Sequence, residues 1–230
     1  LLEASAVHTC VVLGTGHEPL SHHFALSGKD FETPLGSVAA DKEFIAEFTS
    51  RCKLDLFADE FAHRREHTIE FQTLFLRLLL PEVRIVPILC SFGIEELDPP
   101  KDDILHLVES LKETVAAYPH PVCLLSSVDL AHIGPRYGDP FRPHAGTVRE
   151  HNEADRRLLE TLAKADAETF AATLVHEHNN RRICGLPPLY IMLKTLEGVV
   201  EGELLRYDHT EVDGEGSFVT FASMAFYKTS

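Results

Sequence analysis

Unbroken apolar runs alternate along the chain with segments in which apolar residues recur every three or four positions. Three runs, at residues 9–13, 83–90 and 122–127, consist mostly of aliphatic and β-branched residues without alternation. Such runs are typical of strands that are buried on both faces of a sheet. Pro87 in the second run indicates an edge position or a bulge, because proline has no N–H to donate. The pattern predicts three strands of one buried sheet.

Segments with helical periodicity separate and follow these strands. The predicted helices cover residues 41–51, 66–80, 101–117, 147–164, 166–178 and 184–197. Asp41 is the expected N-cap of the first helix, and Pro81 ends the second. Pro187 and Pro188 fall in the first turn of the last helix, where a missing N–H costs nothing.

Three segments outside the buried strands and the helices have patterns of their own. Residues 203–208 and 217–227 have the composition of two strands, which flank a turn at 213–216 and are predicted to pair antiparallel. Residues 14–29 are rich in Gly, His and Ser and predict a loop. Residues 1–6 resemble the end of a helix, so we expect further sequence upstream. The absence of repeats or a linker favours a single α/β domain over residues 1–230, with a mixed sheet.

Composition narrows the function classes. Apolar residues make up 44% and charged residues 25% of the 230 residues, as in ordinary globular proteins. A formal net charge of −15 argues against a nucleic-acid partner. No apolar run approaches the ~18 residues of a membrane span, and no signal peptide is evident. The five cysteines form no CxxC pair, which favours a reducing, cytoplasmic location.

Chemistry-bearing side chains follow two of the predicted strands. Open α/β sheets bind ligands beyond the carboxyl ends of their strands. His17 follows Gly16 just beyond the end of the first predicted strand. It could ligate a metal through a neutral imidazole nitrogen. The alternative is a loop histidine that caps a turn.

Asp129 and His132 follow the third strand with a spacing of three residues. In a helical turn this spacing puts the carboxylate and the imidazole on one face. A carboxylate beside a histidine fixes its tautomer and raises its basicity, as a general base requires. The alternative is Asp129 as a helix N-cap with His132 on the surface.

Cys184 is predicted at the start of a helix, where the pKa of a thiol is lowered. Arg181 and Arg182 are expected to add positive charge beside it. The resulting thiolate could bind a metal or act as a nucleophile, and the alternative is a small buried core residue.

Histidine is the compositional outlier, with 14 of 230 residues. Most of the histidines lie among polar neighbours and are predicted to be solvated. Glu66 near a helix N-terminus is explained by the helix dipole. His67 gains nothing from that dipole, so it is predicted to face a pocket.

Several common signatures are absent from the sequence. The glycines at 14 and 16 lack the third glycine of a dinucleotide fingerprint, and no P-loop, HExxH or EF-hand pattern occurs. No GxSxG elbow is present either.

A set of short motifs resembles one family. The motifs are LGTGH at 13–17, FETPLG at 31–36, REHTIE at 65–70, SSVDLAH at 126–132 and ICG at 183–185. Their order and spacing resemble the Memo-like family, called AmmeMemoRadiSam system protein B in bacteria and archaea. The resemblance runs from about Val11 to the C-terminus.

The resemblance implies a fold and a site. The family is similar to class III extradiol (LigB-type) dioxygenases, which implies a three-layer α/β/α fold with a central mixed sheet. Those enzymes hold Fe(II) with two histidines and a carboxylate, and a further histidine acts as acid and base. The resemblance assigns metal ligation to His17 and Cys184, catalysis to His132 and Asp129, and pocket lining to Glu66 and His67. Cys184 would replace the carboxylate, and a thiolate shifts preference towards copper(I) or zinc, so iron or copper is the expected cofactor.

The chain departs from the family pattern at one ligand. The family's first metal histidine lies in a Pro-His segment upstream of the first strand, and no such segment occurs here. His8 cannot replace it, because it lies at the opposite end of that strand from His17. We expect the ligand upstream of Leu1, because residues 1–6 resemble the end of a helix. The alternative is an incomplete site that holds no metal.

Three functions are compatible with these residues. The first is metal-dependent redox chemistry on a small substrate of unknown identity. The second is a non-catalytic binding or scaffold protein that retains the dioxygenase fold. The third is a hydrolase with Cys184 as nucleophile and His132 as base. The family name also implies a radical-SAM pathway partner.

Overall fold

The structure is a computed structural model that describes residues 7–229. The predicted helix end at residues 1–6 lies outside these residues. Contacts divide the chain into two compact units, which we describe separately. The first unit comprises the chain up to residue 127 together with residues 187–195, and the second comprises residues 128–186 and the chain from residue 196 onwards.

The regular elements of the described residues are six helices, nine strands and three short 3-10 turns. The helices are α1 (Lys42–Arg51), α2 (Thr68–Leu79), α3 (Asp102–Ala117), α4 (Ala145–Ala163), α5 (Ala167–His176) and α6 (Leu186–Leu196). The strands are β1 (Thr9–Thr15), β2 (Phe24–Leu26), β3 (Phe31–Thr33), β4 (Gly36–Val38), β5 (Arg84–Cys90), β6 (Val122–Ser127), β7 (His132–Ile133), β8 (Val200–Glu211) and β9 (Phe218–Lys228). Short 3-10 turns cover Glu60–Arg65, Ile94–Glu96 and Pro135–Tyr137.

The first unit is built on a mixed sheet with the strand order β2-β5-β1-β6. β1 pairs parallel with β5 and β6, whereas β2 pairs antiparallel with β5. All seven residues of β1 are buried, as the unbroken apolar run predicts. The α/β class with a mixed sheet is therefore confirmed, and the three-layer arrangement stays a prediction.

The predicted edge position of Pro87 is wrong, because β5 lies between β1 and β2. β2 pairs with residues 88–90 of β5, so the missing N–H of Pro87 falls beyond the end of β2. The Pro87 carbonyl still accepts a hydrogen bond from the Ser27 N–H. The predicted loop at 14–29 is also interrupted, since it contains β2.

The helix starts confirm the predicted N-cap of α1 and correct the predicted start of α2. The Asp41 carboxylate accepts a hydrogen bond from the Phe44 N–H at 3.1 Å, so it caps α1. α2 begins at Thr68, and Glu66 and His67 therefore lie before the helix, not in its first turn.

The second unit contains an antiparallel sheet with the strand order β7-β9-β8. β8 and β9 form the predicted hairpin. The prediction of a helical turn over Asp129–His132 is wrong, because residues 128–131 are irregular and His132 opens β7. A strand of two residues leaves too little pattern for sequence periodicity to detect.

α6 begins at Leu186 with Gly185 as its N-cap, so Cys184 lies two residues before the helix. Both prolines fall in the first turn, as predicted. Among the helices described, none combines the length and the apolar character that crossing a membrane requires.

Candidate functional site

All six residues with a predicted role fall into two groups of potential metal ligands. His17, Glu66 and His67 form one group in the first unit; Asp129, His132 and Cys184 form the other in the second unit. Within each group, one ligand atom from every residue lies within 4.8 Å of the others. Two ligands that each lie about 2.0–2.3 Å from an ion can be at most about 4.6 Å apart. Each group therefore fits a single ion after a small adjustment. We call them the first-unit cluster and the second-unit cluster.

The first-unit cluster depends on close contact between the end of β1 and the start of α2. The Thr68 hydroxyl donates a hydrogen bond to the Thr15 carbonyl at 3.1 Å. A Cβ atom at Gly14 would lie 2.6 Å from Thr68 Oγ1, a distance that real Cβ contacts essentially never show. Glycine at this position therefore allows the contact that brings Glu66 and His67 to His17.

The Glu66 carboxylate joins the two histidines of the first-unit cluster. Its Oε1 lies 2.9 Å from His17 Nδ1 and 3.2 Å from His67 Nδ1. The two imidazole rings are stacked, with centroids 5.3 Å apart and an angle of 12° between the planes. Burial alone would raise the pKa of Glu66, but hydrogen bonds from the His17 backbone and side chain outweigh it and lower that pKa. These hydrogen bonds therefore stabilise the ionised form of Glu66.

The three side chains of the first-unit cluster line a cavity of about 210 Å³. Leu20, Ala62 and Leu89 supply apolar parts of the same wall. A cavity of this size holds a small ligand or several water molecules beside the potential metal ligands.

The second-unit cluster also has a carboxylate at its centre. Cys184 Sγ donates a hydrogen bond to Asp129 Oδ1 at 2.9 Å. The other oxygen, Oδ2, lies 3.4 Å from His132 Nε2. Burial alone would raise the pKa of Asp129, but the hydrogen bonds from His132 and Cys184 lower it. One carboxylate thus contacts both a thiol and an imidazole.

Backbone carbonyls fix the orientation of the His132 ring. Nδ1 lies 3.1 Å from the Leu130 carbonyl and 3.0 Å from the Arg182 carbonyl. Both partners are acceptors, so Nδ1 carries a hydrogen and Nε2 is the nitrogen that faces Asp129. Burial alone would lower the pKa of His132, but the hydrogen bond to Asp129 and its charge outweigh burial and raise that pKa.

Arg182 connects the segment that precedes Cys184 to His132. Its guanidinium donates to Asp139 Oδ1 at 2.7 Å and to the His132 carbonyl at 3.2 Å. The His132 N–H in turn donates to the Arg181 carbonyl at 2.8 Å. Arg182 has a φ of 53°, a left-handed conformation that costs energy in a residue with a side chain.

Arg181 is buried against two acidic residues. Its side chain, 6% exposed, pairs with the fully buried Asp155, and its Nε donates to Glu177 at 3.0 Å. Arg182 is likewise paired with the Asp139 carboxylate. These contacts fix the backbone before Cys184, and the predicted effect of the two arginines on the thiol stays a prediction.

Gly185 allows the turn that carries Cys184 to approach Asp129. A Cβ atom at Gly185 would lie 2.6 Å from Val128 Cβ and 3.0 Å from the Asp129 carbonyl oxygen. The sequence gives no signal for Asp139, one of the carboxylate partners of the arginines, because it is distant along the chain and belongs to no motif. The predicted sharing of one ion by His17 and Cys184 stays a prediction.

Comparison with known proteins identifies the family. A family model described as Memo-like protein matches residues 1–225. A MEMO1 family protein of Aquifex aeolicus is 32% identical over 221 residues, which are 95% of this chain and 56% of that protein. One of Thermus thermophilus is 32% identical over 188 residues, 80% of this chain and 52% of that protein. One of Thermococcus onnurineus is 30% identical over 243 residues, 99% of this chain and 79% of that protein. The chain spans about half the length of the first two relatives, and it belongs to the Memo-like family.

Proposed function

We propose that this chain supports metal-dependent redox chemistry on a small substrate, with the second-unit cluster as its centre. Cys184 and Asp129 hold a copper or iron ion, and His132 donates and accepts a proton at Nε2. The observation that carries the proposal is the position of thiol, carboxylate and imidazole within 4.8 Å of one another. A bound copper or iron ion would supply the one-electron chemistry that these side chains lack.

The donor set suits a soft or borderline metal. A thiolate favours copper(I) or zinc, and of these two only copper changes its oxidation state. Asp129 is ionised, because the hydrogen bonds it accepts lower its pKa, so it offers a charged oxygen beside the sulfur. The two ligands already lie 2.9 Å apart, Sγ to Oδ1.

His132 is suited to carry a proton. Its Nδ1 is bound to backbone carbonyls, so only Nε2 exchanges a proton with a ligand. Asp129 stabilises the charged imidazole and raises its pKa, which favours the protonated form that a general acid requires.

The arrangement favours this role over the hydrolase with a Cys184 nucleophile. In a cysteine–histidine pair the imidazole contacts the thiol and removes its proton. Here the thiol donates to the Asp129 carboxylate, and His132 contacts the other oxygen of that carboxylate. An ionised carboxylate is a weak base for a thiol.

Metal analysis of the anaerobically purified protein tests the proposal. We expect bound copper or iron in the wild type, its loss in Cys184→Ser, and its retention in His132→Ala. Cys123→Ser, which removes another partly buried cysteine, is the matched control and should keep the metal. With copper bound, a thiolate-to-copper absorption band should be present in the wild type and absent from Cys184→Ser.

Two outcomes would contradict the proposal in different ways. A wild-type protein that takes up no metal after anaerobic reconstitution would favour a non-catalytic binding protein. Loss of the metal from His132→Ala would make His132 a ligand and overturn its role as proton carrier.

A further inference from the structure

We propose that the outward face of α2 is a dimerisation surface, on which a second copy of this chain packs its own α2. The face, which we call the α2 face, consists of Phe71, Phe75, Leu78 and Leu79, with exposed fractions of 58%, 55%, 62% and 68%. Their spacing of three or four residues places them on one side of the helix. The inference concerns association between chains, so it does not depend on the redox role proposed for Cys184.

α2 is also apolar on the side that faces the protein. Ile69 belongs to the buried core of the first unit, and Leu76 and Leu80 pack against that core. A helix that is apolar on all sides is normally buried on all sides. On α4, by contrast, the large exposed side chains are all charged, namely Arg149, Glu150, Glu153, Arg156, Arg157 and Glu160. The sequence of α2 is therefore typical of a helix that is covered on both sides.

The α2 face is large enough to contribute most of a dimer interface. A phenylalanine side chain offers about 150–250 Å², so four large side chains that are more than half exposed present roughly 400 Å² of apolar surface. A specific interface buries at least about 500 Å² on each partner. Leu35, which is 49% exposed, lies beside α2 because its carbonyl accepts a hydrogen bond from Arg77. This leucine and the polar residues around the face supply the remaining area.

The order of residues on the α2 face is complementary to its own copy. Phe71 and Leu79 lie four residues on either side of Phe75 along α2. A two-fold axis at Phe75 therefore packs Phe71 of each copy against Leu79 of the other, because a two-fold interface repeats every contact. The two helices are antiparallel in this arrangement, so the positive end of each helix dipole lies beside the negative end of the other.

The charged residues at the two ends of α2 are complementary in the same arrangement. Arg64 and Arg65 precede the helix, Glu82 follows it, and all three side chains are exposed. Antiparallel packing brings the arginines of each copy towards Glu82 of the other, at both rims of the interface. This reciprocal pairing around an apolar centre favours a second copy as the occupant of the α2 face.

Sedimentation velocity of the full chain over a range of protein concentrations tests the proposal. We expect an equilibrium between monomer and dimer. Phe75→Glu places two like charges at the two-fold axis and should raise the dissociation constant of the dimer at least about thirtyfold, as for a central interface residue. Leu105→Glu, which changes a leucine of α3 that is 42% exposed, is the matched control and should leave the constant unchanged.

A charge exchange tests the antiparallel arrangement. Arg65→Glu should weaken the dimer about fivefold, because each dimer contains two such rim contacts. Adding Glu82→Arg to the same chain should restore the wild-type affinity, and failure to restore it would overturn this arrangement. Thermal unfolding of each variant at a concentration at which the chain is monomeric is the control for folding. The large exposed fractions of Phe75 and Arg65 predict an unchanged midpoint.

Three further outcomes would overturn the proposal. The first is a wild-type chain that stays monomeric at every concentration. The second is an equal effect of Phe75→Glu and Leu105→Glu on the dissociation constant. The third is a monomeric chain that binds phosphatidylcholine vesicles and loses this binding in Phe75→Glu, which would assign the α2 face to a lipid surface.

Discussion

The two clusters share a central carboxylate but differ in how the protein holds them. In the first-unit cluster, Glu66 lies between two imidazoles whose side chains are about half exposed. In the second-unit cluster, Asp129 lies between a thiol and an imidazole, and neighbouring residues form a buried ion pair. Exposed pairs contribute little to stability, whereas an unpaired buried charge is costly. The imidazoles of the first-unit cluster therefore have marginal support, whereas the second-unit cluster lies beside a strongly coupled ion pair.

This difference bears on what each cluster can do. The half-exposed imidazoles of His17 and His67 can rearrange at small cost. The ring of His132 is fixed by two carbonyls and cannot rearrange without losing both contacts. The following changes, from the largest expected effect to the smallest, separate the two kinds of support.

Arg181→Met should have the largest effect on stability. It leaves the fully buried Asp155 without its cationic partner, and removal of one member of a buried pair costs about 3–5 kcal/mol. Urea unfolding of the metal-free protein measures this loss. Arg157→Met removes an exposed arginine from α4, the helix that carries Asp155, and should change the free energy of unfolding by less than about 0.5 kcal/mol. Equal effects of the two changes would show that the buried pair does not support the second unit.

Gly185→Ala should destabilise the protein by about 1–3 kcal/mol, because the new methyl group meets Val128 and the Asp129 backbone. It should also separate Cys184 from Asp129, and the rate of Cys184 alkylation measures that separation. Gly14→Ala should cost a similar amount but leave the alkylation rate unchanged. The same change of rate in both variants would contradict separate supports for the two clusters.

Asp139→Asn should cost about 1 kcal/mol, because Arg182 is partly exposed and solvent weakens its pairing. Burial alone would raise the pKa of Asp139, but hydrogen bonds from Arg182 and the Gly134 N–H lower it. The stabilisation is therefore present above the usual carboxyl pKa of about 4 and is lost as the pH falls through the lowered value. Unfolding curves of the wild type and Asp139→Asn should differ at pH 7 and converge in acid. A gap that persists at the lowest pH would contradict the ion pair as its cause.

His17→Ala should have the smallest effect, below about 1 kcal/mol, because its contacts with Glu66 are partly exposed. Urea unfolding of the metal-free protein is again the measurement. A loss above about 2 kcal/mol would mean that the first-unit cluster stabilises the fold, and the comparison between marginal and strong support would then fail.

The sequence singles out the residues of both clusters but does not predict how they are grouped. Strand ends and helix starts identify all six cluster residues, because polar side chains at these positions interrupt apolar periodicity. The pairing of Glu66 with His17 depends on the contact of Thr68 with Gly14, which connects residues far apart along the chain. No local pattern records such a contact.

The elements that sequence periodicity missed are short. β2 has three residues and β7 has two, so neither shows a period. The left-handed conformation of Arg182 could not be predicted from the sequence either, because glycine or asparagine would be expected at such a position. The long helices and the β8–β9 hairpin were predictable because their apolar faces repeat over ten or more residues.

The carbonyls of Leu130 and Arg182 have a further consequence for His132. Rotation of the ring by half a turn about its Cβ–Cγ bond would place a carbon atom against these oxygens and lose both hydrogen bonds. Only the Nε2 edge of the imidazole is therefore available to a ligand, and the direction of that edge is set before any ligand binds. Any ligand that contacts Nε2 would have to approach from the side on which Asp129 lies.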